Sequence, residues 1–289
     1  MKLVAFSYRG EIHAGLHEGG ALVPVVTGDA AREAVREAIV DGSAAGWPGR
    51  AAGAPRIDAD AARVLAPIPE PRRDILCVGK NYLAHATEFH GSGFDSTGRD
   101  AVPEHPVIFT KAMTAIIGPG EEIRASDDPT ASVDYEGELA VVIGRKARRV
   151  APEDAFDYIF GYTILNDVTS RSLQRRHNQW VIGKGVDTFC PMGPWIASAD
   201  ELNDIGALRL ETRVNGELRQ DALVADLIFD IPTLIATLTA TQTLLAGDII
   251  ATGTPAGVGI GFDPPRYLTP GDRVEVSITG LGTLENPVA

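Results

Sequence analysis

The chain has 289 residues, Lys+Arg 26 against Asp+Glu 39, a formal net charge of -13 and 44% hydrophobic residues, an ordinary globular composition. The acid excess argues against a nucleic-acid partner, which needs a basic footprint, and no uninterrupted run of about 18 apolar residues is present to span a membrane. The N-terminal apolar run is too short for a signal peptide, and Cys77 and Cys190 cannot build a disulfide framework, so the cytoplasm is the expected compartment.

Residues 1–26 read as short strands broken at Arg9-Gly10 and Glu18-Gly19-Gly20. A helix follows at about 29–40, with Ala30, Ala34, Val35, Ala38 and Ile39 at helical spacing. Residues 41–56, rich in Gly, Ala and Pro, read as a linker. The Pro-rich stretch 66–71 is a stiff connector, which places a boundary between a small N-terminal α/β domain at 1–70 and a main domain at 71–289. Residues 74–79 form a buried-type strand that runs into a helix from Tyr82 to about Phe89. The polar, Gly-rich stretch 91–105 is long enough for a functional loop and reads as a lid. Further strands are expected at 107–111, 133–143, 160–168, 207–214, 217–222, 248–252, 273–279 and 282–288, and a late helix starts at Pro232. Strands outnumber helices without βαβ alternation, so the class is β-rich α+β.

Several segments carry candidate chemistry. In Asp134-Tyr135-Glu136-Gly137-Glu138, strand periodicity puts Glu136 and Glu138 on one face, where they repel unless a cation lies between them. A solvated strand face is the simpler reading of that pair alone. Asp167, near the end of an apolar strand, is a natural third oxygen ligand or else a helix cap. Three carboxylates with no Cys or His cluster suit a hard cation such as Mg2+, with Mn2+ or Ca2+ as substitutes, and disfavour zinc. His85 and Glu88, three apart on a helix, share a face and form either a general-base pair or a surface ion pair. Lys184 between two glycines, and Lys111 after an apolar strand, are ligand contacts or snorkelling lysines. Arg171 and Gln174 fall on a helix after Asp167, aimed at the same place. The glycine-rich run from Thr252 to Gly259 offers backbone N–H groups to an anion, but no helix follows it, which argues against a dinucleotide site.

Taken in order, Ile75–Glu88, Pro106–Gly120, Asp134–Gly144, Gly161–Thr169, Gln179–Trp195 and Gly247–Gly259 resemble the fumarylacetoacetate hydrolase family, in its acylpyruvase and 2-hydroxyhepta-2,4-diene-1,7-dioate isomerase-like branch. The resemblance implies a mixed β-roll or sandwich catalytic domain that forms a homodimer. It implies Mg2+ held by Glu136, Glu138 and Asp167, with His85 and Glu88 as the base dyad and Lys184 as a catalytic cation. By similarity, Lys111, Arg171, Gln174, Gly253 and Thr254 would contact a small anionic keto acid. Ala84 stands where some relatives carry an acid, so three protein carboxylates are expected on the metal. Gly185 stands where the family has Ser, which would loosen the lysine loop. The expected reaction is hydrolysis of a C–C bond in an acylpyruvate-like acid. The same site would also serve an oxaloacetate-type decarboxylase, an isomerase of 2-hydroxydiene diacids, or a keto-acid binder without activity.

Overall fold

The computed structural model describes residues 1–94 and 100–289. At its centre lies the strand Gly137–Ile143, whose seven residues are all buried. Its alternation feeds two cores: Leu139, Val141 and Ile143 enter one, and Ala140 and Val142 the other. The strands Ile159–Asn166 and Ile249–Ala251 flank it, both antiparallel. Beyond Ile249–Ala251 come Ile75–Gly79, parallel to it, and the edge strand Val107–Lys111. Beyond Ile159–Asn166 come Cys190–Ser198, Lys2–Tyr8, Glu11–Glu18, Ala21–Thr27 and Ile57–Asp58, in one twelve-stranded sheet. The small unit at 1–70 therefore shares its sheet with the rest of the chain.

A second, four-stranded antiparallel sheet is built from Arg209–Val214, Glu217–Leu223, Arg273–Ile278 and Gly282–Pro287. Asn215 and Gly216 both take positive φ at its first hairpin, as a tight two-residue turn requires. Leu210, Val276 and Ile278 of this sheet pack on Leu139 and Val141, joined by Leu234 and Leu238 of the helix Ile231–Thr241. The Asp230 carboxylate caps that helix by accepting from the Thr233 N–H, with Pro232 in the first turn. The opposite face of the main sheet is covered by Val35, Ala38 and Ile39 of the helix Ala31–Val40. The result is a sheet-rich mixed α/β fold covered on both faces. No helix among the described residues is long and apolar enough to cross a membrane.

Three segments differ from expectation. Residues 41–56 are not a bare linker: they hold a 3-10 turn at Ser43–Gly46 and a helix at Trp47–Ala51. Trp47 is 1% exposed, packed into the core over the central sheet. Its large ring outweighs the local Gly and Pro content. Trp47→Ala should cost about 3–5 kcal/mol of stability by leaving a cavity, read as a lower midpoint in denaturant unfolding. The strand expected at 133–143 is interrupted at Tyr135 and Glu136, where the Asp134 carboxylate accepts from the Tyr135 N–H. The strand Cys190–Ser198 escaped the sequence pattern because Pro191, Gly193 and Pro194 read as turn residues. The stretch 91–105 falls partly outside the described residues, and its reading as a lid with it.

Register sets the position of the chemistry. Gly137 pairs with Asn166, and Ile250 lies beside Leu76, so four chain ends meet on one rim of the main sheet. These are the start of Gly137–Ile143 and the C-terminal ends of Ile159–Asn166, Ile249–Ala251 and Ile75–Gly79.

Candidate functional site

The rim gathers Glu136, Glu138 and Asp167. All three are buried, and one oxygen from each lies within 4.8 Å of the others. The Asp167 N–H donates to the Glu136 carbonyl at 2.8 Å, and the Glu136 N–H to Asn166 Oδ1 at 2.9 Å, so backbone bonds fix two of the carboxylates. Glu138 is held from the far side by the Gly253 N–H, 2.8 Å from its Oε2. The solvated-face reading of the two glutamates fails, because both are buried, Glu138 in the central strand and Glu136 just before it. Asp167 does not cap the helix Arg171–Arg176; the Ser170 hydroxyl does, accepting from the Leu173 N–H.

Three buried cations surround the cluster. Lys184 Nζ lies 2.7 Å from both Glu136 Oε2 and Asp167 Oδ2. Lys111 Nζ lies 2.7 Å from Asp167 Oδ1 and donates to the carbonyls of Val168 and Lys184, behind the cluster. Arg171 bridges Asp134, at 2.9 Å, and Glu136, at 2.6 Å. Burial favours a neutral Glu136, but Lys184, Arg171 and His85 outweigh it and hold this carboxyl at about 2. Glu138 moves the other way: burial, then the Asp167 and Glu136 charges, push it well up.

The other half of the site is the helix Leu83–Gly91. His85 Nδ1 lies 3.3 Å from Glu88 Oε2, and the imidazole is 4% exposed, on the same cavity as Glu136 and Glu138. Glu88 is positioned in turn by the Gly257 N–H, 3.1 Å from its Oε1. Gly261 makes room: a Cβ there would overlap the Glu88 carboxylate, the mobile end of a flexible side chain. Gly261→Ala should therefore leave the fold and metal affinity intact while displacing Glu88 from His85. Turnover is expected to drop by about tenfold or more, with unchanged calorimetric metal binding.

Of the other expected contacts, Arg171, Gln174 and Thr254 line the cavity. Gln174 Oε1 accepts from Arg171 Nη1 at 3.3 Å, and the Thr254 hydroxyl donates to the Gly137 carbonyl at 2.9 Å. Gly253 acts through its backbone on Glu138, and its φ of 107 needs glycine. Lys111 and Gly253 stand behind the cavity wall and hold ligands in place. Ala84 is exposed, away from the cluster. Gly185 tightens the lysine segment rather than loosening it, since a Cβ would meet the Val181 carbonyl at 2.8 Å. Sequence reasoning missed Asp134, which accepts from the Gly259 and Ile260 N–H groups as well as Arg171, and so ties the glycine-rich loop to the cation. It also missed Lys80 and Trp180, both on the cavity wall.

The donor set fits a hard divalent cation. It is all carboxylate oxygen, buried, and its least compensated member, Glu138, lacks the ammonium contacts of the other two. The buried carboxylates Asp134, Glu136, Glu138 and Asp167 face Lys111, Arg171 and Lys184, with Lys80 on the same cavity wall, so the fixed charges around the cluster nearly cancel. A divalent ion there would make the cavity positive and attractive to an anion.

Residues 74–289 match the family described as fumarylacetoacetate (FAA) hydrolase C-terminal. The oxaloacetate tautomerase YisK of Bacillus subtilis (strain 168) is 50% identical over 226 residues, 78% of this chain and 73% of that protein. The structure of a fumarylacetoacetate hydrolase from psychrophilic Exiguobacterium antarcticum matches with a TM-score of 0.83 at 41% identity, covering 100% of this chain and 99% of that one. The maleylpyruvate hydrolase of Sphingobium sp. SYK-6, solved with manganese (II) ion and pyruvate, matches with a TM-score of 0.79 at 32% identity, over 100% and 99% of the two chains. The chain belongs to the fumarylacetoacetate hydrolase family.

Proposed function

We propose that this protein is a Mg2+-dependent enzyme that moves a proton at C3 of a small 2-keto acid, with keto–enol tautomerisation of an oxaloacetate-type diacid as its reaction. The observation that carries this reading is His85, paired with Glu88 behind it, facing the same cavity as Glu136 and Glu138. When bound, the divalent ion supplies the charge that makes an enolate accessible at neutral pH. Glu88 accepts the Nδ1 proton of His85 and leaves Nε2 as the base. His85 takes a C3 proton, the C–H electron pair becomes the C2=C3 double bond, and the C2 oxygen gains the carbonyl pair and a proton from water. Lys184 stays charged, because Asp167 and Glu136 outweigh the desolvation that would neutralise it, and adds positive charge beside the enolate oxygen. Arg171, held by Asp134, offers its guanidinium to a substrate carboxylate; its Nη2 is buried with no partner among the described residues. The 50% identity to an oxaloacetate tautomerase supports proton transfer over bond cleavage.

A second reading, hydrolysis of an acylpyruvate, is favoured by the likeness to the maleylpyruvate hydrolase. There His85 would deprotonate a water instead of C3. Purified protein with Mg2+, supplied with enol oxaloacetate and separately with a panel of acylpyruvates, separates the two. Faster loss of the enol without pyruvate release from the panel is expected. Pyruvate release with no effect on the enol would replace the first reading by the second.

A further inference from the structure

We propose that Gln220 is a positioning residue of the metal centre: it fixes the peptide links on both sides of Gly137 and so sets the spacing of Glu136 and Glu138 to suit a small ion such as Mg2+. This rests on the metal reading of the carboxylate cluster and is independent of the reaction carried out there. Gln220 belongs to the second sheet, on the strand Glu217–Leu223, where it is the one buried residue and is 0% exposed. A buried amide is costly unless it is fully bonded, and an aliphatic side chain would fill the same space without that cost. A glutamine at the single inward position therefore points to the bonds it makes.

Those bonds converge on Gly137. Gln220 Oε1 accepts the Gly137 N–H at 3.0 Å, and Nε2 donates to the Thr254 hydroxyl and to the Pro255 carbonyl, both at 2.7 Å. The orientation of the amide is forced, because a backbone N–H can only donate and a backbone carbonyl only accept. The Thr254 hydroxyl, which accepts from Gln220, donates its own proton to the Gly137 carbonyl at 2.9 Å. One side chain thus holds the peptide that follows Glu136 directly, and the peptide that precedes Glu138 through Thr254.

Gly137 is confined from the same side. A Cβ there would overlap the Thr212 hydroxyl and meet a Val276 methyl at 2.9 Å, both on the second sheet. The loop at the other end of the network also holds a ligand, since the Gly253 N–H anchors Glu138 Oε2. Gln220 therefore keeps the backbone that carries Glu138 in step with the donor that anchors its carboxylate. Rigidity of this kind bears on the choice of ion. Mg2+ demands near-ideal octahedral geometry at about 2.0–2.1 Å, whereas Ca2+ accepts oxygens at about 2.3–2.6 Å in flexible arrangements. A slackened Glu136–Glu138 pair penalises the smaller ion more.

Calorimetry with Mg2+ and with Ca2+, in the absence of substrate, reads this without turnover. Gln220→Met keeps the volume and removes all three bonds. Its Mg2+ affinity should fall at least about tenfold and its Ca2+ affinity by no more than about threefold. Thr254→Val, which removes only the second arm, should shift the ratio in the same direction by less. The double variant should lose less than the sum of the two, because both act on Gly137. Should Gln220→Met not fold, Thr254→Val carries the same test. A general weakening of the fold would lower both affinities alike, so equal losses for the two ions would overturn the assignment. An unchanged Mg2+ affinity in both variants would overturn it as well. A wild-type protein that binds neither ion would overturn the metal reading itself.

Discussion

Glu138→Gln should abolish metal-dependent turnover and, at the same time, raise the melting temperature of the metal-free protein. Both effects have one cause. Glu138 is buried between Asp167 and Glu136, whose charges repel it, and its Oε2 is anchored by the Gly253 N–H alone among the described contacts. Glutamine keeps the volume and the acceptor oxygen but removes the charge. The metal-free protein loses a buried like-charge repulsion, so its midpoint should rise by about 2 °C or more, in line with a gain on the order of 1 kcal/mol in a chain of this size. The ion loses a ligand. Changes to groups that merely orient ligands cost about 10–100-fold in affinity, so loss of a ligand should exceed about a hundredfold. Thermal scans with and without Mg2+ read both: the wild type gains stability on adding the ion, and the variant starts higher and gains little. A variant less stable without metal, or one that still responds fully to the ion, would count against the cluster as the metal centre.

His85→Ala should leave metal affinity untouched and reduce kcat by about 10²–10⁴-fold, the usual contribution of a positioned base. The separation is expected because His85 lies on the helix Leu83–Gly91, whereas the ligands lie on the strand rim. Glu88→Gln should reduce turnover by at least about tenfold for a different reason. The amide still fills the space beside Gly261 and can still accept from the Gly257 N–H, but it no longer stabilises a protonated imidazole. Calorimetry with Mn2+ beside steady-state kinetics separates these effects. Equal losses in binding and turnover in both variants would mean that the helix supports the metal site rather than the proton transfer.

The pattern alone favours a solvated face for Glu136 and Glu138, and the order of segments shared with the family is what points to a carboxylate cluster, although the acids do sit beside unusually apolar runs. Glu138 precedes Leu139-Ala140-Val141-Val142-Ile143, and Asp167 follows Thr163-Ile164-Leu165-Asn166. The His85–Glu88 pair was legible because its spacing is local. The order of these segments was enough to show the resemblance to the family, and with it the β-rich fold. What stayed hidden depends on contacts distant in sequence. Gly257 supports Glu88 across 169 positions, and Gly259 supports Asp134 across 125. The sequence alone presents Gly257 and Gly259 as part of a generic anion loop, whereas the fold uses the loop to hold two carboxylates. Trp47 was hidden differently: Gly46 and Pro48 beside it signal a turn, and only the packed sheet face shows why a tryptophan is there.

The net charge of -13 says little about the site itself. Most acids lie outside the core, while the buried carboxylates at the site, Asp134, Glu136, Glu138 and Asp167, are nearly balanced by the cations around them. One divalent ion bound there would make the cavity positive and so set its affinity for the anionic substrate proposed above. Following enol oxaloacetate with time, with the protein first supplied with Mg2+, then stripped by chelator, then resupplied, tests that claim most directly. The account predicts catalysed conversion with the ion, the spontaneous rate without it, and full recovery on resupply. Catalysis that survives complete removal of the ion would contradict it.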